Sequence, residues 1–207
     1  MSRPLGVILA GGLATRMGGG DKGLLEIGGQ RILEHVIDRI KPQVDALALN
    51  ANGDAARFAE FGLPVLADTI QDYAGPLAGV LAGLDWAAGK GAGTIVTVAA
   101  DTPFFPRDLL ARLVAAADLA RAPIALAATP DAKRGRVRHP TFGLWPVDLR
   151  DDLRAALDSG VRKVVLWTDG HGAVSALFDT GAYDPFFNVN TPEDLDQARA
   201  MVAGGAI

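Results

Sequence analysis

Five short apolar runs, separated by amphipathic stretches, set the pattern of this chain. They cover residues 5–10, 46–51, 64–68, 94–101 and 123–129. Each run has the length of a strand and contains few alternating polar positions. That pattern is typical of strands in a parallel sheet whose two faces are both covered by helices. We therefore predict that the five runs are buried strands of one sheet.

Helices are predicted between and after these strands. Apolar side chains recur every three or four positions over residues 31–42, where Pro42 ends the pattern, and again over residues 109–114. A further helix is predicted to begin after Thr191, which has the residue type of an N-cap and is followed by a proline at the first helical position.

Two segments have a less definite pattern. Residues 128–146 look like a long turn that leads into a possible strand. Residues 161–172 contain a β-branched run that favours a strand, but the spacing of their valines also allows a helix.

The alternation of strands and helices predicts an α/β doubly wound fold with right-handed crossovers. A length of 207 residues, of which 49% are hydrophobic, suits a single domain with a sizeable core. We expect three α/β/α layers around a mostly parallel, Rossmann-like sheet, and the sequence contains no internal repeat.

Composition narrows the function classes. The formal net charge of -4 argues against general binding to nucleic acid or to a membrane surface, both of which favour a basic face. The chain has no cysteine, which excludes disulfides, thiolate metal sites and a cysteine nucleophile. The apolar stretch near the N-terminus is too short to span a bilayer, so we expect a cytoplasmic protein.

Polar or glycine-rich segments follow four of the predicted strands. They are the segment from Ala10 to Gly23, then Asn50, Asp68 and Asp101. In open α/β sheets the ligand site lies beyond the carboxyl ends of the strands. We therefore expect these residues to form one site.

The segment after the first strand has a composition that is costly to fold. It places six glycines between Gly11 and Gly23, together with Arg16 and Lys22. Gly11 and Gly12 allow backbone N–H groups to turn towards an anion, and the two cations can neutralise phosphate charge. The segment is therefore a candidate polyphosphate cradle; the alternative is a surface loop with two solvated cations.

Two common phosphate motifs do not fit this loop. Residues 18–23 match G-x-G-x-x-G, but seven residues, 11–17, separate the match from its strand, whereas the dinucleotide motif must follow its strand directly. A Walker loop requires Ser or Thr after the lysine, and Lys22 is followed by Gly23.

Asp101 follows the apolar run 94–101 and precedes Pro103. A carboxylate at this point suits Mg²⁺, which proteins usually hold with one or two carboxylates and the phosphates of a substrate. The alternative is an aspartate that caps the following turn.

Several blocks, in order along nearly the whole chain, resemble the molybdenum cofactor guanylyltransferase family. The blocks are LAGG-x-x-x-RMGG-x-DKGLL from residue 9, NAN at 50–52, D-x-x-x-DYAGPLAG at 68–79, ADTP at 100–103, RHPT at 138–141 and NVNTPEDL at 188–195. The first block is shared with many nucleotidyltransferases, whereas the later ones are more specific. One departure is Thr15, which stands where the family usually has a second basic residue before Arg16.

The resemblance implies transfer of GMP from Mg²⁺·GTP to a molybdopterin-type cofactor, with release of pyrophosphate. It implies a nucleotide-binding part at about 1–105 and an acceptor part at about 106–207. Arg16, Lys22 and Asp101 are then the catalytic residues, and Asp101 binds magnesium. The implied nucleotide-binding residues are Leu9, Ala10, Gly11, Gly12, Lys22, Asn50, Asp68 and Asp101. The implied pterin-binding residues are Gly75, Gly79, Asn188 and Asn190, although the two glycines also suit tight packing of a helix on the sheet.

Two other functions stay open at this point. One is nucleotidyl transfer with another base or acceptor, such as cytidylyl transfer to the pterin, and the other is a non-catalytic nucleotide- or pterin-binding protein. The expected partners are GTP, the pterin, molybdoenzymes or their chaperones, and pterin-delivery proteins, and we expect a monomer. The basic residues within 133–138 are either a solvated turn or a surface that attracts the anionic pterin or an acidic acceptor enzyme.

Overall fold

A seven-stranded sheet organises the structure, a computed structural model that describes residues 3–11, 21–70 and 75–205. Within these residues the sheet strands are β1 (Leu5–Leu9), β4 (Leu47–Asn50), β5 (Val65–Leu66), β6 (Thr94–Ala99), β7 (Ala125–Asp131), β8 (Gly135–Pro146) and β9 (Val174–Leu177). A separate two-stranded hairpin consists of β2 (Glu26–Ile27) and β3 (Gln30–Arg31). All five predicted strands are present.

The helices of the described residues are α1 (Ile32–Ile40), α2 (Pro76–Gly89), α3 (Leu109–Ala120), α4 (Arg150–Asp158), α5 (Val164–Gly170) and α6 (Pro192–Ala203). Short 3-10 turns lie at Lys22–Leu24, Lys41–Gln43, Ala55–Phe61 and Val147–Leu149. The predicted cap of α6 is confirmed, because the Thr191 hydroxyl accepts from the Asp194 N–H and the Asp194 carboxylate accepts from the Thr191 N–H. The ambiguous segment 161–172 contains a helix, α5.

The strand order is β5-β4-β1-β6-β8-β7-β9. Strands β1, β4, β5, β6, β7 and β9 are parallel, and β8 runs against its neighbours β6 and β7. This confirms the mostly parallel sheet. The long turn predicted at 128–146 is wrong in extent, because β7 and β8 occupy all of that range except the few residues between them, where the chain reverses into an antiparallel pair. The chain builds β4 and β5 on one side of β1 and then returns to place β6 on the other side, so the strand order reverses between β1 and β6.

Helices cover both faces of the sheet, which confirms the three-layer architecture. On one face, α1 and α3 bury a row of apolar side chains that includes Leu33, Val36 and Leu113. On the other face, α2, α4 and α5 do the same with residues such as Leu81 and Leu153. A smaller cluster packs α6 beside the β2–β3 hairpin.

A buried polar pair joins two neighbouring strands of the sheet. The Trp145 indole of β8 donates to the Thr97 hydroxyl of β6 at 2.8 Å, and both residues are fully buried. Among the described residues, no helix has the length and apolar character needed to cross a membrane.

Candidate active site

Backbone hydrogen bonds tie together the carboxyl ends of three adjacent strands. The Ala100 N–H donates to the Leu9 carbonyl at 3.0 Å, and the Ala10 N–H donates to the Asn50 carbonyl at 2.8 Å. The ends of β6, β1 and β4 therefore have fixed relative positions. Ligands of open α/β sheets bind where the strand order reverses, which here is the gap between β1 and β6.

An open cleft of about 420 Å³, a volume that includes the solvent at its mouth, lies at this point. Its lining residues from the described part of the chain are Leu9, Ala10, Asp21, Lys22, Gly23, Leu33, Phe58, Ala100 and Asp101. The cleft therefore contains four of the residues that the sequence analysis selects: Leu9, Ala10, Lys22 and Asp101.

Lys22 and Asp101 meet inside the cleft although they are 79 positions apart. The Lys22 Nζ lies 3.5 Å from the Asp101 Oδ2 and 2.5 Å from the Asn190 Oδ1. The side chains of Lys22 and Asp101 are 19% and 24% exposed, so both remain accessible to a ligand. A cation, a carboxylate and an amide from three separate segments thus converge on one point.

Asn188 and Asn190 are fixed beside Asp101 by the loop that precedes α6. The Val189 N–H donates to the Asp101 carbonyl at 2.9 Å, and the Asn190 N–H donates to the Asp194 carboxylate at 2.9 Å. The Thr102 hydroxyl lies 2.5 Å from the Asn188 Oδ1. These bonds hold the predicted acceptor-side asparagines against the predicted metal ligand.

Asn50 and Asp68 form a second polar group at the ends of β4 and β5. The Asn50 Nδ2 donates to the Asp68 Oδ1 at 2.8 Å and to the Leu66 carbonyl at 3.0 Å. Asn52 holds the other carboxylate oxygen of Asp68, through its Nδ2 at 2.7 Å, and accepts from the Asp68 N–H at 2.9 Å. Asp68 is therefore oriented by two amides before any ligand binds.

The two glycines assigned to the pterin side occupy different environments. Gly75 precedes α2 with φ of 72° and ψ of −164°, a conformation that favours glycine. Gly79 lies on α2 against the Asn50 side chain: a Cβ at Gly79 would be 2.2 Å from the Asn50 Oδ1 and 2.8 Å from the Leu9 Cδ2. Gly79 thus contacts predicted nucleotide-binding residues. Its position also fits the alternative role from the sequence analysis, which is tight packing of a helix on the sheet.

Some of the predicted residues require separate comment. Gly12 and Arg16, together with Thr15, lie outside the described residues. Gly11 is described, and a Cβ there would be 3.6 Å from the Asn50 Oδ1. The Leu9 carbonyl and the Ala10 N–H already form hydrogen bonds with the ends of the neighbouring strands. A contact between this segment and the base therefore has to use other backbone groups, such as the Ala10 carbonyl.

Sequence reasoning missed Arg57, which lies on the 3-10 turn Ala55–Phe61. Its Nε donates to the Asp21 Oδ2 at 2.5 Å, and its guanidinium lies 4.5 Å from the centre of the Phe58 ring. Both Asp21 and Phe58 line the cleft. The sequence held no signal for this contact, because an arginine in a polar segment is ordinarily a solvated residue.

The basic residues 133–138 occupy the turn between β7 and β8 and the start of β8. The Asp131 Oδ1 accepts from the backbone N–H groups of Lys133 and Arg134, which orders the turn, and Arg138 pairs with Asp169. Because β8 is antiparallel to β6, this hairpin extends from the sheet edge that carries the cleft.

His139 lies next to this hairpin and faces the protein interior. Its ring stacks on Phe186 at 4.3 Å, and its Nε2 lies 3.0 Å from the Thr129 hydroxyl. Burial lowers the pKa of His139, an effect that the Asp184 carboxylate partly opposes. Burial thus favours the neutral form of this imidazole.

Comparison with known proteins gives a consistent result. Residues 6–172 match the family described as the MobA-like NTP transferase domain. A molybdenum cofactor guanylyltransferase of Bradyrhizobium sp. (strain ORS 278) is 51% identical over 201 residues, which is 96% of this chain and 92% of the relative. A protein of the same name from Mesorhizobium japonicum is 50% identical and covers 95% of both chains.

Solved structures share the fold at lower identity. The molybdopterin-guanine dinucleotide biosynthesis protein A of Archaeoglobus fulgidus aligns with a TM-score of 0.70 and 20% identity, over 97% of this chain and 99% of that protein. The 2-C-methyl-D-erythritol 4-phosphate cytidylyltransferase of Thermus thermophilus aligns with a TM-score of 0.69 and 20% identity, over 98% of this chain and 100% of that protein. Since a cytidylyltransferase has the same fold, the fold alone does not identify the base.

The contact between Gly79 and Asn50 generates a stability prediction. Gly79→Ala should lower the free energy of unfolding by about 1–3 kcal/mol, because the new methyl group overlaps the Asn50 amide. The matched control is Gly89→Ala, at the end of the same helix, where a Cβ meets nothing within 4 Å. Urea unfolding of the two variants measures the difference. Equal stability of the two variants would contradict the close contact.

Proposed function

Because the chain belongs to the MobA-like NTP transferase family, as one of its molybdenum cofactor guanylyltransferases, we propose that it transfers GMP from GTP to the molybdenum–molybdopterin cofactor and releases pyrophosphate. The observation that carries this proposal is the meeting of Lys22 and Asp101 in the cleft at the point where the strand order reverses. A phosphate-binding cation and a metal-binding carboxylate are the two groups that a nucleotidyl transfer requires there.

The nucleotide is assigned to residues of the first half of the chain. Asn50 and Asp68 hold the nucleoside, and their mutual hydrogen bond fixes their orientation in advance. Lys22 then contacts the triphosphate and neutralises charge that builds up on it during transfer. Leu9, Ala10, Gly11 and Gly12 supply the backbone close to the base.

The pterin is assigned to the second half, with the division near residue 105. From this half, Asn190 contacts Lys22, and Asn188 contacts Thr102, the neighbour of Asp101. The exposed Lys133, Arg134 and Arg136 add positive charge on the same edge, which favours the approach of an anionic acceptor. Two residues of the first half, Gly75 just before α2 and Gly79 on α2, complete the assignment of the acceptor side.

The transfer needs no covalent enzyme intermediate. An oxygen of the terminal phosphate of the pterin forms a bond to the α-phosphorus of GTP, in line with the α–β bridging oxygen. The bond from the α-phosphorus to that bridging oxygen breaks, and its electron pair leaves with pyrophosphate. The protein contributes position and charge neutralisation, which are the main sources of rate in phosphoryl chemistry.

The residues around Asp101 fit a magnesium ion that arrives with GTP. The described residues contain no group of three His, Cys, Asp or Glu side chains that could hold a metal ion by themselves. A single carboxylate suits Mg²⁺ when substrate phosphates complete its coordination. When bound, the ion would neutralise charge on the triphosphate. Asp101 is the ligand from the protein, and Lys22 lies beside it.

The metal role of Asp101 leads to a test. Asp101→Asn should keep the fold, since the change is nearly isosteric, but should lose most turnover and require much more Mg²⁺. Pyrophosphate release is measured across a Mg²⁺ titration. The control is Asp108→Asn, an exposed carboxylate seven residues further along the chain and outside the cleft. Wild-type turnover of Asp101→Asn at limiting Mg²⁺ would remove Asp101 from this role.

The base is tested by a panel of nucleotides. Calorimetry with Mg²⁺ and GTP, CTP or ATP should show the tightest binding for GTP, because a site that pairs with one base leaves buried polar groups unpaired with another. Lys22→Ala should weaken all three nucleotides alike, since its contact is with phosphate. A preference for CTP would favour cytidylyl transfer instead. Binding of GTP without pyrophosphate release in the presence of the pterin would indicate a non-catalytic protein.

A further inference from the structure

Arg57 joins two parts of the cleft that lie far apart in the sequence. On one side, its Nε and Nη2 lie 2.5 Å and 3.5 Å from the two carboxylate oxygens of Asp21. On the other side, its Nη2 donates to the Asn52 carbonyl at 2.6 Å, and its Nη1 donates to the Asp54 carbonyl. One planar guanidinium thus bonds to the Asp21 carboxylate and to two backbone carbonyls of the segment 52–54, a geometry that a lysine cannot reproduce.

The residues at the two ends of this connection, Asp21 and Asn52, each adjoin a predicted site residue. Asp21 directly precedes Lys22, and its carbonyl accepts from the Leu24 N–H at 3.0 Å to close the 3-10 turn that carries Lys22. Asn52 orients both the carboxylate and the N–H of Asp68. Arg57 is therefore the side chain between the phosphate-binding lysine and the predicted nucleoside-binding aspartate.

Arg57 is itself held in place. Its guanidinium lies over the Phe58 ring, and Phe58 is 1% exposed. Asp54, whose carbonyl Arg57 contacts, caps the same 3-10 turn by accepting from the Ala56 N–H at 2.9 Å. The side chains of Arg57 and Asp21 are 29% and 19% exposed, so water only partly screens the pair.

We propose that Arg57 is a positioning residue for nucleotidyl transfer: through Asp21 it fixes Lys22 relative to the nucleoside subsite of Asn50, Asn52 and Asp68. The two ends of a bound nucleotide are then held at a constant separation, with the lysine aligned to the reacting phosphates. This inference rests on the proposed function. It gives Arg57 a role in the reaction through its contacts with Asp21 and Asn52.

The consequence is a selective effect on kcat. Displacement of a catalytic group by about 1 Å can cost about 10²-fold in rate. Arg57→Ala should therefore lower kcat by about 10-fold to 10²-fold, with a smaller change in the KM for GTP, because Lys22 acts most strongly on charge that develops during transfer. Arg57→Lys keeps the charge but loses the planar fork, and should recover only part of kcat.

The decisive experiment is a double-mutant cycle with Lys22, measured as kcat for pyrophosphate release. If Arg57 acts through Lys22, Arg57→Ala should cost little further kcat in a Lys22→Ala background. A residue with only a structural role should lower kcat by the same factor in both backgrounds. The control is Glu60→Gln, which removes the ion pair between Arg31 and the same 3-10 turn without touching the cleft; its kcat should match the wild type.

Two outcomes would overturn the inference while leaving the proposed function intact: equal losses of kcat in the two backgrounds, or full kcat in Arg57→Lys. A wild-type enzyme that releases no pyrophosphate from GTP and the pterin would instead contradict the proposed function. Arg57→Lys keeps the experiment decisive if Arg57→Ala does not fold, because its side-chain stem and charge are preserved.

Discussion

The pairing of β1 with β6 is the constraint on which the rest of the site depends. These strands are adjacent in the sheet, but 84 residues separate the end of β1 at Leu9 from the start of β6 at Thr94. A cleft opens beyond their carboxyl ends. The segment after β1 supplies Lys22, and the segment after β6 supplies Asp101. Their separation is thus set by strand pairing rather than by any local motif.

The electrostatics of the cleft follow from this geometry. Lys22 has a carboxylate and an amide as partners before a nucleotide arrives. Its ammonium is therefore already oriented, and a phosphate that enters the cleft meets a positioned cation rather than a mobile one. Because Asn190 belongs to the second half of the chain, the lysine also links the proposed nucleotide side to the proposed acceptor side. Preorganised charge of this kind is usually the largest source of rate in such transfers.

The sequence predicts the fold better than it predicts the site. The five short apolar runs identified β1, β4, β5, β6 and β7, and the Thr191 cap identified helix α6, because local patterns report directly on burial and capping. The glycine- and alanine-rich helix α2 was not delimited, since it is apolar on most sides and has little periodic contrast. The segment that contains α5 was ambiguous because two signals conflict. Its β-branched residues favour a strand, whereas Val164 and Trp167 are spaced to be buried on one side of a helix.

Some of the site residues could be predicted from the sequence, and others could not. Lys22 and Asp101 were accessible from sequence because each follows a strand that the pattern identifies. Arg57 and the contact of Gly79 with Asn50 were not, since they depend on side chains that meet across 36 and 29 positions of the chain. Guanine specificity comes from family membership, because parallel strands and a phosphate cradle serve any nucleotide equally well.

The most direct test of this account follows the two ends of GTP through one turnover. The enzyme is incubated with Mg²⁺, molybdenum–molybdopterin cofactor and GTP that carries label on either the α- or the γ-phosphate. The account predicts that α-label appears in a pterin guanine dinucleotide and that γ-label leaves as pyrophosphate, in equal amounts. Release of γ-label as inorganic phosphate, or absence of α-label from the pterin product, would contradict it.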